Sequence, residues 1–244
     1  MLTDVTHAYG VIGVMGPNSR TLLNELTDAD LSLKAFPFSS AQWHSLANAN
    51  VLMIRITYVG ELGWELHARM DQIQGVFDTI QSVAKKYDLT HAGFYAINSL
   101  RMEKAYRAWG AEISPGDTPY EAGLGFMVKL DKPTNFIGKE ALLKQKETGV
   151  KRRLASFVVE DPEAMLWGGE RIFRDGKLMG TTTSGYYGFT LGRAIAFGYV
   201  KHDEVITPEF VLSGKYTIDF AGKPYPAQAM LQPPFDPKNE KIMV

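Results

Sequence analysis

Apolar and polar positions alternate along residues 51–58, with Val51, Met53 and Arg55 set against Leu52, Ile54 and Ile56. A period of two in a stretch rich in β-formers predicts a strand, and Gly60 and Gly63 supply the turn after it. In an extended chain the side chains at i, i+2 and i+4 share a face. Leu62, Trp64 and Leu66 therefore turn to the core, while Glu61, Gly63 and Glu65 turn the other way, into water or a cleft. Upstream, Val11 to Met15 is a short apolar run that reads as a buried strand. Pro17-Asn18-Ser19 then opens a helix carrying Leu22, Leu23 and Leu26.

Helical spacing returns over residues 70–87, where Ile73, Val76, Phe77, Ile80 and Val83 recur and Lys85 and Lys86 suit the C-terminal dipole. A further helix is expected from Phe94 to Ala108, with Phe94, Ile97, Leu100 and Met102 inward and Glu103 and Arg107 as an exposed i,i+4 pair. Residues 110–119 hold two prolines and two glycines and read as a loop. A short amphipathic helix follows over residues 138–147. The basic run Lys151-Arg152-Arg153, just after Gly149, marks a junction between a region of residues 1–149 and one of residues 150–244.

Beyond that junction the texture changes to short strands parted by turns, at 154–159, 171–174, 177–182, 194–200, 216–220 and 227–231. Asp175-Gly176 is a two-residue hairpin signal, both positions favouring positive φ. Six such strands suit a small antiparallel barrel or sandwich. The fold class is thus α+β, a mixed α/β region followed by a β-module.

The chain has 244 residues, 45% hydrophobic and 22% charged, so it can bury a sizeable core. A net charge of −1, with bases scattered among acids, argues against nucleic acid as a partner. No run reaches the roughly 18 apolar residues of a membrane helix, so no membrane partner is expected. The start, Met1-Leu2-Thr3-Asp4, has neither a signal peptide's apolar stretch nor an arginine-rich transit segment. Without cysteine there is no disulfide, thiolate nucleophile or thiolate metal site. The histidines at 7, 44, 67, 91 and 202 lack ligand spacing, so no metal is expected.

Two motifs are set aside on geometry. Gly10, Gly13 and Gly16 fall before and within the first predicted strand, not at a strand-to-helix turn, so they cannot cradle a pyrophosphate. Ser184, in Thr181-Thr182-Thr183-Ser184-Gly185-Tyr186-Tyr187, reads as part of a polar turn with no neighbouring histidine to activate it. Its segment, with Tyr187, is either a plain hairpin or a lining of a ligand cleft.

Several blocks together resemble the glycine-cleavage T-protein (aminomethyltransferase) family. They are Tyr58-Val-Gly-Glu-Leu-Gly-Trp-Glu65, Gly13-Val-Met-Gly-Pro-Asn-Ser-Arg20, Asn98-Ser-Leu-Arg-Met-Glu103, Thr118 to Phe126 and Phe136 to Leu142. The Arg107-Ala-Trp-Gly110 ending of the helical block that holds Asn98 to Glu103, with Leu166 to Glu170 and Pro233 to Asn239, looks most like the C-terminal folate region of sarcosine and dimethylglycine dehydrogenases. The resemblance implies a folate-binding domain followed by a C-terminal barrel, tetrahydrofolate as cofactor, and transfer of a one-carbon unit to form 5,10-methylenetetrahydrofolate. Its implied pterin contacts are Glu65 and Tyr58. Glu61, Arg101, Ser184 and Tyr187 are secondary candidates, with helix structure as the competing role for Arg101.

The resemblance also sets limits. Those dehydrogenases carry FAD in a separate N-terminal domain, so this chain alone is not expected to bind it. The family's catalytic aspartate lies upstream of Met1, and Asp4, Asp28 and Asp30 do not match it. Ile97 stands where the T-protein has arginine, and Asn98 where it has aspartate, which tells against T-protein activity proper. A non-catalytic regulatory subunit, like the pyruvate dehydrogenase phosphatase regulatory protein, is the alternative reading, and a glycine-cleavage aminomethyltransferase the third. With half a sheet absent, apolar surface at Val11–Met15 and Val51–Ile56 should be open, so the chain is expected either to belong with a parent flavin domain or to self-associate. A mitochondrial matrix location is implied by resemblance alone; otherwise the cytoplasm is expected.

Overall fold

The alternation around residue 53 becomes a four-stranded antiparallel sheet in the computed structural model, which describes residues 1–244. Its strands are β1 (Tyr9–Met15), β2 (Ala41–Leu46), β3 (Ala49–Ile54) and β4 (Gly63–Arg69), in the order β1-β4-β3-β2. Helices α1 (Ser19–Leu26) and α2 (Ile73–Val83) cover one face, where Leu22, Leu23, Val76 and Ile80 pack with Val51, Met53, Trp64 and Leu66. This arrangement buries the expected apolar set Leu62, Trp64 and Leu66. The opposite face carries Tyr9, Val11 and Trp43, all exposed. These elements belong to a first unit, Met1–Ile97 together with Lys238–Val244.

The β2–β3 hairpin had no obvious sequence signal. Its two turn residues, Ala47 (φ 53°) and Asn48 (φ 62°), are both left-handed, the type I′ geometry that glycine usually supplies. Gly60 (φ 78°) does make a turn, but Gly63 opens β4 for a different reason. A Cβ there would press on the Met15 side chain and lie 2.8 Å from the Val14 carbonyl oxygen, so the close approach of β1 demands glycine.

Helix α3 (Phe94–Glu103) leads into the second unit, Asn98–Pro237, and is shorter than the expected Phe94–Ala108. Ala105 (φ 53°) takes the left-handed position, the amide of Tyr106 donates to Arg101 O, and that of Ala105 donates to Met102 O. This is a Schellman stop without glycine. Two further expectations fail there. Phe94 is exposed rather than inward. Glu103 is buried, accepting from the amides of Thr190 (2.7 Å) and Leu191 (3.1 Å), while Arg107 donates to Ala122 O and Ala105 O, so they are not an exposed pair.

After α4 (Lys139–Thr148), six antiparallel strands close into a barrel, with α5 (Pro208–Ser213) set between the fourth and fifth of them. They are β5 (Arg152–Val159), β6 (Arg171–Arg174), β7 (Lys177–Gly188), β8 (Arg193–Lys201), β9 (Tyr216–Phe220) and β10 (Lys223–Met230), in the order β10-β5-β8-β7-β6-β9. Phe157, Ile172, Ala196 and Ile218 fill the interior, and Asp175 (φ 50°) and Gly176 (φ 78°) form the expected β6–β7 turn. Strand β7 runs well past the expected residue 182. Ser184 therefore sits inside a strand and not in a polar turn.

Candidate functional site

Glu65 lies mid-strand on β4, the strand hydrogen-bonded on both sides, opposite Gly13 of β1 and Ile54 of β3. Because Trp64 and Leu66 are drawn into the core, the pleat turns Glu65 to the open face, where its side chain is 32% exposed. Two residues on, and so on the same face, His67 brings Nε2 to 3.3 Å from Glu65 Oε2. The carboxylate is thereby held on a sheet floor that is bare at Gly13. His67 was not foreseen as its partner, although the i, i+2 spacing contained that signal.

Tyr58 lies on the β3–β4 connection at the margin of exposure. Thr57 Oγ1 organises that loop, accepting from the amides of Val59 (3.2 Å) and Gly60 (3.1 Å). Glu61 takes another direction, forming an ion pair with Lys241 Nζ at 3.5 Å. Of the two carboxylates in this segment, one is committed to the C-terminal segment and the other faces outward beside an imidazole.

In the second unit the structure brings Arg101 and Ser184 together. Arg101 is almost wholly buried: Nη2 donates to Ser184 Oγ (3.0 Å), Nη1 to Glu112 Oε2 (2.7 Å) and to Tyr106 O (3.1 Å), and Nε to Asn98 Oδ1 (3.2 Å). Glu112 also accepts from Ser184 Oγ (2.5 Å), Thr183 Oγ1 (3.1 Å) and the Ala108 amide (2.8 Å). Each nitrogen of the guanidinium has an acceptor inside this knot, which ties α3 and the loop after it to β7. Glu112 went unnoticed in the sequence because it lies in a loop with no pattern around it. Tyr187 lies on β7, its carbonyl accepting from Ser99 Oγ (2.5 Å) and its ring edge-on to Phe189 at 5.2 Å between centroids.

Cavities occur in both units. One of about 240 Å³ is lined by Gly16 to Ser19 and Tyr87 to Thr90 in the first unit. Another of about 310 Å³ lies between Trp167–Arg171 and Asp219–Gly222 in the second. Neither includes Tyr58 or Glu65. At the edge of the second, Glu170 is buried and accepts from the amides of Trp167 (2.7 Å) and Gly168 (3.0 Å), which fixes the glycine pair after Trp167.

Residues 1–132 match the GCVT N-terminal domain, and residues 152–236 match the glycine cleavage T-protein C-terminal barrel domain. The chain is 42% identical over 244 residues to sarcosine dehydrogenase, mitochondrial, of Homo sapiens, covering 99% of this chain and 26% of that protein. It is 40% identical over 232 residues to dimethylglycine dehydrogenase, mitochondrial, of Mus musculus, covering 95% and 26%. The chain thus spans about a quarter of the length of the curated relatives it matches. Among solved structures, the glycine cleavage system aminomethyltransferase T from Bartonella henselae aligns with a TM-score of 0.53 at 18% identity, covering 98% of this chain and 86% of that one, a likeness of fold. On the matches along both of its parts, this chain belongs to the glycine cleavage T-protein family, and along nearly its whole length it is similar to a part of sarcosine and dimethylglycine dehydrogenases.

Proposed function

We propose that this chain is the tetrahydrofolate-binding, one-carbon-transfer region of a sarcosine or dimethylglycine dehydrogenase-like protein, and that it helps to form 5,10-methylenetetrahydrofolate. The observation that carries this reading is the outward Glu65 carboxylate, beside His67 and over the bare Gly13 backbone. A pterin presents N3–H and its 2-amino group as adjacent donors, and one carboxylate accepts both in a charge-assisted pair that also orients the ring. The bare floor at Gly13 suits a flat heterocycle, and Tyr58 supplies an aromatic wall. Holding the ring in this way positions N5 to attack an electrophilic methylene carbon, so the chain's own contribution is orientation.

The acid–base aspartate, the rest of the cleft around Glu65 and the flavin belong, in this proposal, to sequence outside these residues. Arg101 and Ser184, locked in their knot, serve the barrel unit's structure, and Tyr187 remains a candidate only for lining. A mitochondrial matrix location accords with the names of the relatives. Isothermal titration with tetrahydrofolate tests the proposal: the chain should bind, and Glu65→Gln should bind at least tenfold more weakly. A wild-type chain that takes up no folate returns the assignment to the non-catalytic regulatory reading. Ammonia release from an aminomethylated lipoyl protein would instead point to a glycine-cleavage aminomethyltransferase.

A further inference from the structure

Arg55 follows β3 on the same side as Val51 and Met53, and like them it is fully buried. Its acceptors are all main-chain oxygens: Nη1 donates to Phe36 O (2.8 Å), and Nη2 donates to Ile242 O (3.1 Å) and to the main-chain oxygen of Val244 (2.7 Å). Its Nε has no partner. From α1, Arg20 reaches the same place, with Nε donating to Leu31 O (2.9 Å) and Nη2 to the Val244 oxygen (2.5 Å). Both guanidinium groups lie near the Trp64 ring, at 5.8 Å for Arg20 and 5.7 Å for Arg55. Burial, and then the adjacent Arg20 charge, pull the Arg55 guanidinium below its ordinary value.

Two cations converging on one oxygen are costly unless acceptors close around them. Two of the three oxygens that satisfy Arg55 come from residues 242 and 244, at the end of a segment that folds back through a turn. The turn is set by Asn239 (φ 59°), whose carbonyl accepts from the amides of Ile242 and Met243. Ile242 is buried as an apolar anchor, and Lys241 pairs with Glu61. Asp236, two residues before the segment, is fixed separately in the second unit by buried Lys104, whose Nζ donates to Asp236 O (2.5 Å) and Oδ2 (3.2 Å). Release would therefore be confined to the residues after Pro237.

We propose that Arg20, Trp64 and Arg55 form a peptide-binding site that takes the main-chain oxygens of a short turn-forming segment with an aliphatic anchor, and that residues 238–244 occupy it as a releasable internal ligand. The site reads backbone through a rigid arginine fork, the chemistry by which chain ends and loops are captured without a side-chain code.

Hydrogen exchange on the intact chain tests this proposal first. The amides of residues 239–244 should exchange together, at least 100-fold faster than those of β4, and Arg55→Lys should speed them a further tenfold while leaving β4 unchanged. Exchange of 239–244 only at the β4 rate overturns the proposal, because the segment then opens only when the whole unit unfolds. As a second test, a chain ending at Pro237 should bind a labelled, C-terminally amidated peptide of residues 238–244, measured by fluorescence anisotropy. Binding should weaken at least tenfold when the chain carries Arg55→Lys or the peptide carries Ile242→Asp. Equal binding of a scrambled peptide, or loss of the circular-dichroism signature on truncation, overturns the proposal as well.

Discussion

Two buried arginines divide the molecule into contrasting halves. Arg101 in the second unit meets a carboxylate, Glu112, which is itself bonded to two hydroxyls and an amide, so charge and hydrogen bonds both close within a few ångströms. Arg55 in the first unit has only main-chain oxygens, one donor without a partner, and a second arginine beside it. The surrounding architecture follows the same division. The barrel closes on itself and leaves no strand edge, whereas the four-stranded sheet ends in β1 and β2 and leaves one face open. A buried charge met by a carboxylate inside its own unit resists change from outside. In the two proposals above, one met by a returning segment, in a unit whose carboxylate faces outward, is the part that responds to binding.

The sharpest break of that contrast is Glu112→Gln. It keeps the shape but strands a buried guanidinium, and should cost about 3–5 kcal/mol, read from urea denaturation followed by circular dichroism. The double variant Arg101→Met/Glu112→Leu should cost less than Glu112→Gln alone, since no charge remains to be compensated. Simple additivity would mean that the knot is not a closed unit. In the first unit the effect should fall on binding instead. Glu65→Gln converts a charge-assisted pair to a neutral one and should weaken tetrahydrofolate by about 1.5–3 kcal/mol, while its unfolding midpoint stays within about 0.5 kcal/mol of wild type. His67→Gln should weaken folate by a smaller factor, less than the tenfold expected of Glu65→Gln, because it removes the group that steadies the carboxylate rather than the acceptor itself.

The same contrast decides what could be read from sequence. The barrel strands were legible because turn residues punctuate short runs of β-formers, and the Glu65 face because period-two alternation reports burial directly: Leu62, Trp64 and Leu66 are inside and Glu65 is out. What escaped has physical causes. The β2–β3 hairpin turns on Ala47-Asn48, and α3 stops at Ala105, so both use left-handed backbone without the glycine that normally announces it. Strand β2, Ala-Gln-Trp-His-Ser-Leu, is an edge strand with a mostly solvated face and few β-formers to mark it. Glu103 looked like half of a surface pair but is buried by its bonds to Thr190 and Leu191, a contact across 87 and 88 residues that no local spacing could forecast. The Arg101–Glu112–Ser184 knot is likewise non-local, so its parts were visible singly and their union was not.

The smallest expected effect probes the closed half at high pH. Tyr199 is 5% exposed and its hydroxyl donates to Glu112 O at 2.9 Å, beside the ring contact with Arg152 at 3.9 Å. Burial, and then the Asp117 charge, push its phenol up to about 12, with Arg152 opposing. A folded-state value above the ordinary 10 means that the fold favours the protonated phenol. The associated stability is therefore fully present below pH 10 and is lost as pH rises from 10 toward 12. Tyr199→Phe should lose this dependence, and the tyrosinate absorbance difference between wild type and variant should show one phenol titrating near the top of that window. A difference spectrum centred at pH 10 would mean that water reaches the hydroxyl beside Glu112. The second unit would then be as open at its knot as the first is at Glu65, and the contrast between the two halves would fail.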